Sequence, residues 1–452
     1  MKKKLTVQEY VVVASMLFGL FFGAGNLIFP VHMGQMAGSQ LVPATLGFLI
    51  TGVGLPLLSV AALGISKSEG LFDLSRKVSR PYAYFFTCLL YLTIGPFFAI
   101  PRCATTAFTV GIEQAVPQAA EQLRLWLLVF SAVFFAAALL FSLFPGKILT
   151  WVGKILNPFF LLFLGILIIV ALVKPSAAIS AVAPEGAYAS QAFSTGFLEG
   201  YNTMDVLAGL AFGIIVVQVI RELGVTDADA VASSTVKAGV FSSLLMALIY
   251  LAVTVVGAQS RGLFETSENG GIALAQIARH YLGSAGLVIL AATVTLACLK
   301  TSVGLITSCA ETFCGMFPKG PKYRAWAVLF TLISFALSNF GLSTIISYSV
   351  PVLMFLYPLA IALVLLALFG RFYRHDRAVY ISVIVCTLLA ALYDLICALP
   401  EGLYDALHAD AVQAFGLRVL PFAGAGLGWI CPLALGFVIG LAVHLMQKFR
   451  TK

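Results

Sequence analysis

Apolar residues run through this chain in long blocks separated by short polar segments. Twelve blocks stand out, at about 8–36, 41–65, 81–107, 123–143, 148–173, 193–220, 236–258, 284–314, 325–338, 342–369, 379–398 and 422–446. A helix needs ~20 mostly apolar residues to cross a bilayer. The pattern therefore predicts an all-α integral membrane protein of about 12 transmembrane helices, with residues 1–452 forming a single transmembrane domain. No short apolar run with a small-residue cleavage site stands at the N-terminus, so the first span is expected to be retained.

The first block breaks the rule that a spanning helix is continuous: Gly23, Ala24, Gly25 and Asn26 interrupt the apolar run. Irregular backbone at membrane depth is tolerated only where it is buried in protein or lines a cavity. Helix ends placed there leave N–H and C=O groups that bind a carboxylate, an ammonium or a bare cation. The break points to a transporter, with a half-helix over 27–36 that begins at Asn26 and turns its positive end toward a carboxylate. Gly23 and Gly25 let a ligand approach the backbone. Asn26 offers a side-chain oxygen suited to a small cation, and Pro30 falls within the first turn, where a missing N–H is harmless.

Two halves of similar length follow from the block order, 8–173 and 193–369, each with five spans. An odd number of spans inverts the second half relative to the first. The fifth span of each carries proline (Pro158; Pro351 and Pro358), and the first span of each carries a glycine-containing interruption, at 23–26 and at 209–213. Matching breaks in two halves suggest a 5+5 inverted repeat with the site between them; the plainer reading is that glycine is common in membrane helices. The stretch 379–446 then adds two peripheral helices.

Of 452 residues 61% are hydrophobic and 10% charged, with a mean hydropathy of +1.02, which excludes a soluble globular protein. With the N-terminus inside, 20 of the 27 basic residues fall in cytoplasmic segments, as the positive-inside rule requires. Both termini are then cytoplasmic, and the net charge of +8 reflects topology and anionic inner-leaflet lipid. A nucleic-acid partner would need a basic soluble face, which the pattern lacks. Trp126, Trp151, Trp326 and Trp429 each stand near the start of a span, where indoles prefer the interface. The eight cysteines lie in or beside apolar runs without metal-type spacing and read as small buried hydrophobes.

An enzyme is disfavoured: the five histidines are scattered, and no His-Glu-x-x-His, Gly-x-Ser-x-Gly or Cys-x-x-Cys pattern occurs. A channel would ordinarily build its filter from several chains. The breaks carry neither a basic cluster for a dianion nor an acidic one for a dication, so a neutral aliphatic zwitterion suits them. Nothing in the pattern sets an oligomeric state.

Three segments carry a family resemblance: Gly-Ala-Gly-Asn-Leu-Ile-Phe-Pro at 23–30, Gly-Tyr-Asn-Thr-Met-Asp-Val-Leu-Ala at 200–208, and Leu-Ala-Cys-Leu-Lys-Thr-Ser-Val-Gly-Leu at 296–305. The first resembles the first-helix signature of the LeuT-type fold, in the APC superfamily. Together, and over the whole length, they resemble the branched-chain amino acid transport system II carriers (BrnQ or LIVCS family). The resemblance implies a bacterial inner-membrane symporter for leucine, isoleucine and valine, usually sodium-coupled, without an organic cofactor. It places sodium between the backbone oxygens of Gly19 and Phe22 and a second group made of the Cys298 carbonyl and the Thr301 and Ser302 hydroxyls. Back-bonding of those hydroxyls to their own helix is the competing reading. In the sixth span the resemblance puts the unwound stretch near Leu207, Gly209 and Gly213, with free carbonyls for the ammonium and Phe212 as a wall for the side chain; Phe212 reads equally as ordinary packing.

Two charged positions complete the expectations. Asp205 attracts the substrate ammonium or neutralises a cation, whereas Glu199 reads as an external vestibule charge. Lys300 departs from the family pattern, and three readings stay open: it faces a wet cytoplasmic vestibule, pairs with Asp205 or Glu311, or replaces sodium electrostatically and makes transport proton-coupled or cation-independent.

Overall fold

The computed structural model describes residues 4–66, 68, 70–116, 119–143 and 157–450. Trp151 and the beginning of the fifth block lie outside them. Nineteen α-helices and no strands occur among the described residues. In chain order they are α1 (Val7–Phe21), α2 (Gly25–Ala37), α3 (Leu41–Leu49), α4 (Leu55–Ser66), α5 (Leu71–Arg76), α6 (Arg80–Leu92), α7 (Ala99–Gly111), α8 (Ala120–Leu143), α9 (Asn157–Val173) and α10 (Tyr188–Glu199). The remainder are α11 (Asp205–Glu222), α12 (Ala228–Ser260), α13 (Gly270–Met316), α14 (Tyr323–Ser338), α15 (Leu342–Phe369), α16 (Arg377–Cys397), α17 (Glu401–Ala406), α18 (Asp410–Val419) and α19 (Ile430–Arg450).

Local chemistry sets many of the boundaries. Thr6 and Glu9 form a reciprocal cap on α1, with Glu9 N–H donating to Thr6 Oγ1 at 3.3 Å and Thr6 N–H to Glu9 Oε2 at 2.8 Å. Asp227 accepts from the Ala230 amide at the start of α12, and Asn269 accepts from Gly271 and Ile272 at the start of α13. The second and third blocks each widen into a single π-type turn, at Ile50–Gly54 and Thr93–Phe97. Gly283, at φ +66, bends α13 where the predicted eighth span begins. The last span starts at Ile430, later than the hydropathy suggested, because 423–425 form a short 3-10 turn between left-handed residues Phe422 and Gly426.

Eight described segments are long and apolar enough to cross a membrane, and Val7–Phe21, Phe160–Val173 and Tyr323–Ser338 are shorter apolar helices. Large apolar side chains such as Val133, Leu162, Leu248, Leu389 and Val438 point outward, as lipid-facing positions do. Trp126 and Trp326 stay partly exposed at helix starts, but Trp429 is only 5% exposed and belongs to the core.

The two broken segments are gripped by the same device. Lipid supplies no hydrophobic force between helices, so close backbone approach through small residues holds them together. The Cβ that Gly34 of α2 lacks would stand 2.1 Å from the Thr254 carbonyl of α12, and that of Gly257 on α12 would stand 2.2 Å from the Val31 carbonyl. In the same reciprocal manner Gly196 of α10 meets the Ala44 carbonyl of α3 at 2.0 Å, and Gly47 meets the Phe193 carbonyl at 2.1 Å.

Gly196→Val is expected to force these backbones apart, at a cost of about 1–3 kcal/mol or more, and to lower the detergent melting temperature by several degrees. Gly165→Ala, with nothing within 4 Å of the new methyl, is expected to leave it unchanged; melting curves of the purified variants make the comparison.

Candidate functional site

Helix α1 ends at Phe21 because Phe22 turns extended (ψ 93), and α2 begins at Gly25 after Ala24. The break thus lies at 22–24, with the new half-helix one residue earlier than expected. Pro30 consequently sits beyond the first turn and denies the Asn26 carbonyl its usual helical donor.

Asn26 closes the break on itself: its Oδ1 accepts the Gly23 N–H at 2.9 Å. Its Nδ2 donates to Asp205 Oδ2 at 2.6 Å and to the Tyr250 hydroxyl, which in turn donates to Asp205 Oδ2 at 3.1 Å. The side chain expected to offer oxygen to a cation is therefore engaged in a buried network that ties α2 to α11 and α12.

The second break differs from the expected one. Helix α10 stops at Glu199, the 3-10 turn Gly200–Thr203 follows, Met204 adopts a left-handed conformation (φ 62), and α11 starts at Asp205. Thr51 helps to open this break by donating its hydroxyl to the Phe197 carbonyl at 2.8 Å, and Gly200 abuts the same hydroxyl. The stretch 207–213 is regular helix. Gly209 packs against Ser59 and Gly213 against Leu63, the Ala211 carbonyl accepts from Tyr91 at 3.1 Å, and Leu207 is fully buried. Those glycines serve helix packing, and only Phe212 of the expected wall lines the cavity.

Both new half-helices, α2 and α11, begin at one space of about 40 Å³. Among its lining residues are Gly23, Ala24, Gly25, Asn26, Asp205, Phe212 and Thr301, all expected from the sequence, together with Thr203, Met204 and Arg102. A water occupies ~30 Å³ of liquid, so the space is of a size that suits water.

Arg102, on α7, is the residue that sequence reasoning missed. It is 3% exposed, its Nη1 donates to the Asn202 carbonyl of the second break at 2.7 Å, and its guanidinium lies 5.0 Å above the Phe29 ring. The signal was present: a charge deep inside an apolar block marks function more often than decoration.

The residues expected around a cation are placed unevenly. Thr301 lies opposite Gly23, its methyl 3.4 Å and its hydroxyl 3.5 Å from a notional Cβ there. Its hydroxyl donates back to the Ala297 carbonyl at 3.1 Å. Ser302 is fully buried with its hydroxyl beside the Cys103 thiol, and the Cys298 and Cys103 thiols adjoin each other. Gly19 is buried in α1. Lys300 is absent from the cavity lining, and the groups acting on Asp205 are Tyr250, Thr203, Asn26 and Arg102, so the Asp205–Lys300 pair does not form. Glu199 meets Asn202 at 3.4 Å and lines a separate cavity of about 350 Å³ on the other side of the 200–203 turn. No group of three or more His, Cys, Asp or Glu suited to a metal occurs among the described residues.

Residues 6–447 match the family described as Branched-chain amino acid transport protein. The branched-chain amino acid permease BrnQ of Lactobacillus delbrueckii subsp. lactis is 53% identical over 450 residues, covering all of both chains. The BrnQ permease of Bacillus subtilis is 39% identical, again over the full length of both. Among solved structures, inward-facing Mhp1 superposes with a TM-score of 0.63 at 16% identity, over 98% of this chain and 91% of that one. MhsT in complex with L-phenylalanine gives 0.59 at 16% identity, over 98% and 99%. These likenesses establish a LeuT-type fold, and the two breaks meeting at one cavity follow from it. The chain belongs to the branched-chain amino acid transport protein family.

Proposed function

We propose that this protein is a secondary transporter that brings leucine, isoleucine and valine across a bacterial inner membrane by cation-coupled symport, sodium being the coupling ion. The observation that carries the reading is the convergence of two helix N-termini, a buried carboxylate and apolar walls on one cavity. Amides at the start of α2 suit the substrate carboxylate, Asp205 suits its ammonium, and Phe212 suits its side chain.

The cation is assigned to the Gly19 and Phe22 carbonyls, the Cys298 carbonyl and the Thr301 and Ser302 hydroxyls. Two facts support this: the Ser302 hydroxyl is fully buried next to the Cys298–Cys103 pair, and the backbone leaves the helix at Phe22. One positive charge crossing ~100 mV inward supplies ~2.3 kcal/mol, roughly fifty-fold accumulation.

The mechanism is read as alternating access, with the α1–α4 and α10–α12 segments rocking against the rest. The inverted repeats are read as 8–173 and 193–369, with 379–446 as two added helices and both termini cytoplasmic. The glycine contacts of α2 on α12 and of α11 on α4 are what an exchange of the two halves would produce.

Labelled leucine uptake into proteoliposomes, with inward sodium and inward proton gradients imposed separately, tests the reading. Sodium-driven accumulation, competed by isoleucine and valine, is expected; proton-driven or gradient-independent uptake would remove the sodium assignment, and no saturable uptake would remove the transport function. Thr301→Ala with Ser302→Ala is expected to raise the sodium concentration for half-maximal uptake at least about tenfold, a loss of ~1.4 kcal/mol. Asn26→Ala leaves the buried Asp205 without its 2.6 Å partner, and leucine affinity is expected to fall by ~2 kcal/mol or more, roughly 30-fold, read from equilibrium binding.

A further inference from the structure

Arg102 stands where both breaks can be touched by one side chain. Its Nη1 holds the Asn202 carbonyl of the second break at 2.7 Å. Its Nη2 lies 2.9 Å from the position a Cβ on Gly25 would take, at the first residue of α2. A guanidinium carries five donors in a planar fork, and this one is buried with a single backbone acceptor and an aromatic face as its partners.

The start of α2 has donors to spare as well. The Leu27 and Ile28 amides turn back to the Ala24 carbonyl, and the Gly23 amide goes to Asn26 Oδ1. The Gly25 and Asn26 amides have no acceptor among the described residues. Guanidinium and free amides thus converge on one point at the cavity wall.

Charge gives the second half of the argument. Arg102 and Asp205 line the same cavity, yet they do not meet as an ion pair within 4.0 Å. Two opposite buried charges held apart leave each under-compensated. A dipolar ligand of the right length completes both.

We propose that Arg102 is the carboxylate anchor of the carrier: an aliphatic α-amino acid binds as a zwitterion strung between the Arg102 guanidinium and the Asp205 carboxylate. This assignment rests on the transport reading above and adds to it the group that selects the carboxylate. The order of charges becomes guanidinium, substrate carboxylate, substrate ammonium, Asp205. The Asn202 carbonyl accepts from the guanidinium; an arriving carboxylate takes over that donor and frees the 200–204 turn. A side chain at Gly25 would displace the guanidinium from the start of α2, since its Cβ would stand 2.9 Å from Nη2.

The test compares leucine with leucinol, which keeps the ammonium and the side chain but lacks the carboxylate, in equilibrium binding to the purified protein. Wild type is expected to favour leucine strongly. Arg102→Gln is expected to lose about 30-fold or more in leucine affinity while leucinol affinity changes by less than about threefold, so that the preference collapses. Gly25→Ala, which keeps the charge and displaces the guanidinium, is expected to shrink the preference in the same direction, and it serves alone if Arg102→Gln does not fold. Equal losses for leucine and leucinol would reduce Arg102 to a structural latch and overturn the assignment, as would an unchanged preference in both variants. Absence of leucine binding by wild type would overturn the transport reading itself, a result distinct from either.

Discussion

Asn26 is the contact on which the centre of this molecule depends. One amide closes the first break by accepting the Gly23 N–H and reaches across to Asp205 and Tyr250. Without it a carboxylate at the first residue of α11 would lie buried with only the Tyr250 and Thr203 hydroxyls, the Arg102 charge and a helix N-terminus to compensate it. The cost of such a group explains why the network is built from three elements: each polar atom is held by a helix that cannot follow its neighbour without breaking a hydrogen bond.

The same constraint shapes the surroundings. Open backbone in lipid must be covered by protein, and here the cover is other helices drawn in through glycine. Carbonyls of α3, α10, α2 and α12 approach to distances that no Cβ would permit. The breaks are therefore properties of the packed assembly. Thr51 illustrates this, because its hydroxyl, from the continuation of α3, bonds the Phe197 carbonyl in the last turn before the second break.

Tyr201, stacked on Tyr357 with ring centroids 4.0 Å apart, and Arg102, bonded to the Asn202 carbonyl, fasten neighbouring residues of the same short turn. The 200–204 segment thus separates the central cavity from the one lined by Glu199 and Asn202.

Hydropathy alone determined that the chain is a helical membrane protein, and it located most spans to within a few residues, because bilayer thickness is a one-dimensional demand on the sequence. The first break was equally legible: glycine and asparagine have no reason to interrupt an apolar run unless the backbone opens there. The second break was misplaced at Gly209 and Gly213, since glycine in a membrane helix signals close packing as readily as unwinding. Contacts with Ser59 and Leu63 decide for packing, and Thr51, some 150 residues away in sequence, opens the chain at Gly200 instead. Arg102 was visible as a charge in a span, but its partners lie in the Gly200–Thr203 turn and at the start of α2. Only tertiary structure brings these together, because the field at a buried charge is set by groups distant in sequence. Lys300 makes the complementary point: it adjoins Thr301 in sequence yet does not line the cavity that Thr301 faces, since successive residues of a helix point ~100° apart.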